Sequence, residues 1–245
     1  MRLSRNRAKK IIKYAGRMLY PPTCPLCQRV LEIDNMGTCE ECVGLISYVQ
    51  QPSCLRCGKE IADEEAELCE DCTNYERTYI KGFPAMNYIG PVTKCVASFK
   101  YNNRRDLADF FANEIIKCCG HEILDVSPEI FVPIPVHKSK LKKRGYNQAE
   151  LLAKSLGERL DIPVEANLII RSTNTMPQKK LDNEEREKNL KKAFISSGEI
   201  VKYKRVMLVD DIYTTGATIE TCTKLLKENG VSEVYYTSIC IGKGY

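Results

Sequence analysis

The chain has no tryptophan, and its 6 phenylalanines and 13 tyrosines are dispersed over 245 residues, so a continuous aromatic platform for stacking nucleic-acid bases has little to build on. Neither a G-x-x-x-x-G-K-[ST] loop nor a G-x-G-x-x-G turn occurs, which removes the usual footholds for nucleoside triphosphates and dinucleotides. No stretch approaches the roughly 18 consecutive apolar residues of a membrane-spanning helix. The amino-terminal stretch holds Arg2, Arg5, Arg7, Lys9, Lys10, Lys13 and Arg17 but no apolar core long enough for a secretory signal, and the expectation is a cytoplasmic protein with reduced thiols. Low-complexity tracts are absent, and the only repeat is a fifteen-residue period of cysteine pairs.

Those cysteines are the plainest feature present. Eight of the 13 form four C-x-x-C pairs: Cys24 and Cys27, Cys39 and Cys42, Cys54 and Cys57, Cys69 and Cys72, each pair separated from the next by eleven residues. Two such knuckles supply the four soft ligands that a tetrahedral Zn2+ takes, so eight thiolates predict two closed structural zinc sites. Spacing leaves open whether the pairs combine in sequence or in a cross-braced order. A disulfide framework would need an oxidising compartment. Cys95, Cys118, Cys119, Cys222 and Cys240 sit in apolar or helical patterns and read as core residues.

Charge divides the chain more sharply than its net +5 suggests. Residues 1–20 carry seven basic and no acidic side chains; residues 21–80 carry four basic against twelve acidic; residues 81–245 carry 26 basic against 20 acidic. This predicts a basic amphipathic leader (1–20), an acidic double zinc-ribbon-like module (21–80) and a larger domain (81–245). The leader places Ile11, Ile12, Ala15, Met18 and Leu19 on one helical face and is expected to dock on its own chain, with an acidic partner or an anionic membrane surface as alternatives. An acidic zinc module is poorly suited to gripping phosphates; basic clusters lie instead at Lys138, Lys140, Lys142, Lys143 and Arg144, at Lys179 and Lys180, and at Lys202, Lys204 and Arg205.

From Lys81 onward strands and helices alternate as in an α/β fold with a mainly parallel sheet. Strands are expected near Ala85 to Ile89, Ile130 to Val136 (ended by Pro133 and Pro135), Leu168 to Arg171, Val206 to Val209 and Val234 to Ile241, and helices over Asp106 to Cys119 and Ala149 to Leu160. The most telling segment is Val206 to Thr218. An apolar run reads as a strand buried on both faces and delivers Asp210 and Asp211 at its carboxyl end, where open α/β sheets place their ligands. Thr214, Thr215 and Thr218 then supply hydroxyls around Gly216 and Ala217, and a helix follows whose amino terminus faces the same spot. That combination suits a phosphorylated sugar.

This segment resembles the signature of type I phosphoribosyltransferases, in which the acidic pair holds the ribose hydroxyls of phosphoribosyl pyrophosphate (PRPP) and the threonine loop wraps the 5′-phosphate. Three further segments narrow the resemblance: Ser98-Phe99-Lys100-Tyr101 with Arg104 or Arg105; Val132-Pro133-Ile134-Pro135 through Arg144-Gly145-Tyr146-Asn147-Gln148-Ala149; and Arg171, Gln178, Leu181, Arg186, Asn189 and Phe194. Together they resemble the ComF family of natural competence (ComFC or GntX-like proteins), from Pro22 to the carboxyl terminus. The resemblance implies a pyrophosphate loop at Val136, His137 and Lys138 with Arg144 within reach, and a flexible loop from Gln178 to Asn189 with Arg186 meeting the diphosphate. It implies Mg2+ bound with PRPP, and chemistry that proceeds by positioning and charge rather than by a protein nucleophile. Some purine transferases carry an aspartate where Thr214 stands, so an obvious general base is missing; His137 is the alternative.

Three functions follow. The leading one is a competence protein that handles single-stranded DNA with a PRPP-binding fold, together with DNA-uptake machinery at the inner face of the membrane. The others are an active phosphoribosyltransferase acting on an unknown base or amine, and a PRPP-sensing regulator or scaffold.

Overall fold

The computed structural model describes residues 21–32, 37–171, 194–196 and 202–242. The basic leader and the segment holding Gln178 and Arg186 lie outside the described residues. Four strands form one parallel sheet in the order β1-β6-β5-β2, comprising β1 (Gly82–Asn87), β2 (Ile130–Pro133), β5 (Arg205–Tyr213) and β6 (Glu233–Ile241). The strands are buried on both faces, and successive side chains therefore enter two different cores. Phe131, Met207, Val209, Tyr235 and Ile239 belong to one cluster; Ile130, Val132, Val206, Leu208, Val234 and Tyr236 belong to the other. This alternation is what turns an unbroken apolar run into a central strand.

The first cluster is covered by three helices, α3 (Pro91–Tyr101), α4 (Leu107–Asp125) and α6 (Gln148–Leu160). Helix α4 continues six residues past the expected end at Cys119, because Ile123 extends the buried stripe of Phe111, Ile115 and Cys119 by one more turn. The second cluster is covered by α7 (Ala217–Glu228), through Ile219, Cys222 and Leu226, and by Cys54, Cys57, Cys69, Cys72 and Tyr79. The second half of the cysteine-rich segment therefore shares a core with the sheet. Two short helices, α1 (Glu40–Val43) and α2 (Glu70–Asn74), begin at Cys39 and Cys69, while α5 (Lys138–Arg144) follows β2.

The strand expected over Leu168 to Arg171 does not join the main sheet. Ile169–Arg171 (β3) pairs antiparallel with Phe194–Ser196 (β4) as a separate ribbon, with Leu168, Ile169 and Phe194 buried in the second core. No helix among the described residues is long and apolar enough to cross a membrane.

Candidate functional site: an acidic pair, a threonine loop and a cationic wall

The cleft opens where one strand stops before its neighbour. Strand β2 pairs with β5 only as far as Pro133 opposite Val209; Ile134 adds one more backbone bond to the Val209 carbonyl at 2.9 Å, and Pro135 has no N–H to continue. On its other side β5 runs on beside β6, with Asp210 opposite Ser238 and Tyr213 opposite Ile241. Val206 to Val209 are fully buried, so the next two residues emerge at the carboxyl edge as a partly buried acidic pair. Asp210 Oδ1 accepts the Asp211 N–H at 2.7 Å, and Asp211 is paired with Lys100 Nζ at 2.9 Å. Burial, and then the neighbouring Asp211 charge, push the Asp210 carboxyl up to about 8 from an ordinary 3.8.

Beyond Tyr213, Thr214 and Thr215 are exposed and Gly216 turns the chain into α7. Gly216 sits at φ +76°, and a Cβ there would lie 2.2 Å from the Tyr213 hydroxyl, so the turn requires glycine twice over. Ala217 opens the twelve-residue α7, and Thr218 in its first turn lines the cleft. Exposed hydroxyls and free N–H groups at the positive end of a helix make an anion seat.

The opposite wall is built by the Arg144-Gly145-Tyr146-Asn147-Gln148 run. Tyr146 donates its hydroxyl to the Phe99 carbonyl, Gln148 Nε2 donates to the Lys100 carbonyl at 3.3 Å, and Asn147 Nδ2 donates to the Ile134 carbonyl at 3.1 Å while its Oδ1 caps α6 through the Ala149 N–H. Arg144 donates to Gln148 Oε1 at 3.0 Å and stacks over Tyr101 at 4.7 Å. The run thus stitches the end of α3 to the loop after β2. The resulting cleft, about 200 Å3, is lined by Lys100, Tyr101, Val136, Lys140, Arg144 and Arg171 facing Asp210, Asp211 and Thr218. Partial desolvation, with Arg171 and Arg144 nearby, lowers the Lys140 pKa, and burial lowers that of Arg171. A larger hollow, about 330 Å3, lies between the end of α6 and Val164, but it holds neither the acidic pair nor the threonine loop.

The structure brings Val136 and Arg144 to the cleft together with Asp210, Asp211 and Thr218. His137 and Lys138 lie outside its lining: His137 caps α5, its Nδ1 accepting the Ser139 N–H at 3.1 Å, and Lys138 is exposed. Lys100, Tyr101, Lys140 and Arg171 join the site without having been named as ligands. Lys100, Tyr101 and Arg171 had a signal in the segments that carried the family resemblance, but nothing in spacing connects Lys100 with Asp211.

The cysteine pairs combine in sequence: Cys24, Cys27, Cys39 and Cys42 form one group and Cys54, Cys57, Cys69 and Cys72 the other, with the thiol sulfurs of each group within 4.8 Å of one another. Tetrahedral Zn–S bonds of about 2.3 Å demand sulfur–sulfur edges of about 3.8 Å. Cys27 and Cys39 Sγ are 3.7 Å apart, and Cys57 and Cys69 Sγ 3.6 Å apart, so both groups fit structural zinc. All thirteen cysteines are free of disulfides.

Comparison with known proteins agrees with this geometry. Residues 15–73 match the double zinc ribbon domain and residues 141–242 the phosphoribosyl transferase domain. Competence protein F of Haemophilus influenzae is 34% identical over 86% of this chain and 93% of its own. DNA utilization protein YhgH of Escherichia coli K12 is 24% identical over 90% and 97%. Competence protein ComFC of Streptococcus pneumoniae is 27% identical over 84% and 88%. With a double zinc ribbon running into a phosphoribosyltransferase fold and that likeness along most of its length, the chain belongs to the competence protein F (ComF) family.

Proposed function

We propose that this protein binds PRPP with Mg2+ and uses that site in handling single-stranded DNA during uptake, in the cytoplasm at the inner face of the membrane. The observation that carries the reading is one cleft holding an acidic pair, a threonine loop at a helix amino terminus and a wall of four cations. In this reading Asp210 and Asp211 accept the ribose hydroxyls. Thr214 to Thr218 hold the 5′-phosphate, and Lys100, Lys140, Arg144 and Arg171 meet the diphosphate. The hard oxygen donors of the pair and of the diphosphate suit Mg2+, which when bound neutralises phosphate charge. Binding is favoured over transfer because, among the described residues, the lining offers no histidine and no carboxylate beyond the acidic pair to act as a base on an acceptor. Gln178 and Arg186 lie outside the described residues; the family resemblance alone proposes Arg186 as a further cation for the diphosphate.

The DNA-handling part rests on the relatives' names and on exposed Lys142 and Lys143 beside Arg144 on α5, at the rim of the same cleft. The test is a calorimetric titration of the zinc-loaded protein with PRPP and Mg2+, alongside a fluorescent single-strand titration at two salt concentrations. Asp210→Asn with Asp211→Asn should abolish PRPP binding and leave both zinc ions in place. Charge reversal at Lys142, Lys143 and Arg144 should weaken DNA affinity and flatten its salt dependence. PRPP-independent DNA binding that survives this triple reversal would count against the reading.

A further inference from the structure

We propose that Arg77-Thr78-Tyr79, the segment leading from the second four-cysteine site into β1, is a positioning element for the threonine loop, so that the second zinc site and the phosphate seat form one mechanical unit. The inference rests on the reading of that loop as the seat of the 5′-phosphate.

Each of the three residues touches the loop or its helix from behind. Arg77 Nη2 donates to the Thr215 carbonyl at 2.9 Å. A loop that offers N–H groups to an anion must turn its carbonyls away, and the guanidinium holds this one turned. Thr78 donates from both N and Oγ1 to the carboxylate of Glu220, at 2.9 Å each. Glu220 is buried in the first turn of α7, where its charge opposes a bound phosphate; the two Thr78 donors and Lys224 Nζ at 3.4 Å satisfy it. Tyr79 meets the hydroxyl of Tyr213 at 2.7 Å, and that hydroxyl lies directly under Gly216.

The same segment is anchored to the zinc site. Tyr213 stacks on Tyr236 with centroids 4.9 Å apart, Tyr79 packs edge-on against Tyr236 at 5.2 Å, and Tyr236 donates its hydroxyl to the carbonyl of Cys57 at 2.7 Å. Arg56, between the knuckle cysteines, donates from Nη1 to the Tyr79 carbonyl at 2.7 Å, and its own carbonyl accepts the Gly82 N–H at 2.9 Å. A continuous buried path therefore runs from Cys57 through three tyrosines to Gly216. Among the described residues no hydrogen bond joins the first four-cysteine group to this loop.

The experiment compares three ligands on zinc-loaded full-length protein: PRPP with Mg2+, ribose 5-phosphate and inorganic pyrophosphate, by calorimetry, with zinc content measured on every preparation. Arg77→Ala and Tyr79→Phe should each lose about tenfold in affinity for PRPP and for ribose 5-phosphate alike, retain pyrophosphate binding and keep two zinc ions, whereas Arg29→Ala, which breaks an ion pair with Glu41 beside the first four-cysteine group, should bind as wild type. Unchanged ribose 5-phosphate affinity in both variants overturns the proposal, and so does an equal loss for pyrophosphate, which would mean general loosening. Should Arg77→Ala fail to fold, Tyr79→Phe, which keeps the ring and deletes only the hydroxyl, decides alone. A wild type that binds none of the three ligands overturns the PRPP reading itself.

Discussion

Asp210 bears the cost of the site in its own ionisation. Its carboxyl is pushed up to about 8 first by burial and then by Asp211, against 3.8 in an unfolded chain. Between those values the folded protein holds a proton that the unfolded chain has released, so the unfolded state binds fewer protons and stability falls as pH rises through this window. Above about 8 the penalty is present in full; below 3.8 it vanishes. Asp210→Asn removes it and should stabilise the fold by a few kcal/mol, up to about 5 kcal/mol, at pH 8, with a gain that shrinks toward pH 5. Thermal unfolding at the two pH values measures this, and an unaltered or lowered melting temperature at pH 8 would contradict it. If the pair takes ribose hydroxyls as proposed, the same proton must leave on binding. Affinity of the wild type for PRPP and Mg2+ should therefore rise from pH 6 to pH 8, with proton release visible as a dependence of the binding enthalpy on buffer ionisation. A residue that stabilises the protein when neutralised and abolishes binding at the same time is there for its ligand.

At the scale of elements, the run Arg144 to Gln148 shows how little of a helix start is about the helix. Asn147 caps α6 through the Ala149 N–H, as an asparagine at that position is expected to, but it also carries the Ile134 carbonyl of the loop after β2. Asn147→Ala should destabilise the protein by about 1–2 kcal/mol from the lost cap and the stranded carbonyl, and should weaken pyrophosphate binding more than ribose 5-phosphate binding, because it frees the Val136 side of the cleft. Denaturant unfolding and the three-ligand titration check the two parts separately; a pure stability loss would reduce Asn147 to a cap. Which elements were legible in sequence follows the same logic. The strand Val206 to Val209 and its acidic pair were readable because burial on both faces leaves a local apolar run. The pairing of β3 with β4, and the Lys100 to Asp211 contact, were not, because both depend on segments that meet only in the folded chain. Helix α4 outran its expected end for a similar reason: Gly120 reads locally as a weak spot, and only the buried place of Ile123 carries the helix past it.

For the whole molecule, the two zinc groups are equal in sequence and unequal in place. Their shared C-x-x-C spacing made two sites legible, but nothing local distinguishes Cys27, which is exposed, from Cys57, which is 1% exposed beneath Tyr236. The first group rests on a small cluster of Cys24, Leu31 and Cys42, whereas the second is part of the core under β5, β6 and α7. Removing one thiolate should therefore have different consequences at the two sites. Cys27→Ser should give a protein with one zinc ion, a melting temperature lowered by only a few degrees and PRPP affinity within about twofold of wild type. Cys57→Ser leaves the sheet without the metal that holds part of its second core, and should lower stability by more than about 3 kcal/mol, with loss of PRPP binding at temperatures the wild type tolerates. Graded addition of a chelator to the wild type should release the ions in that order, the first without effect on PRPP titration and the second together with it. Simultaneous release, or PRPP binding that outlasts both ions, would mean that the sheet stands without its zinc-bound flank, and the path from Cys57 to Gly216 would then transmit nothing.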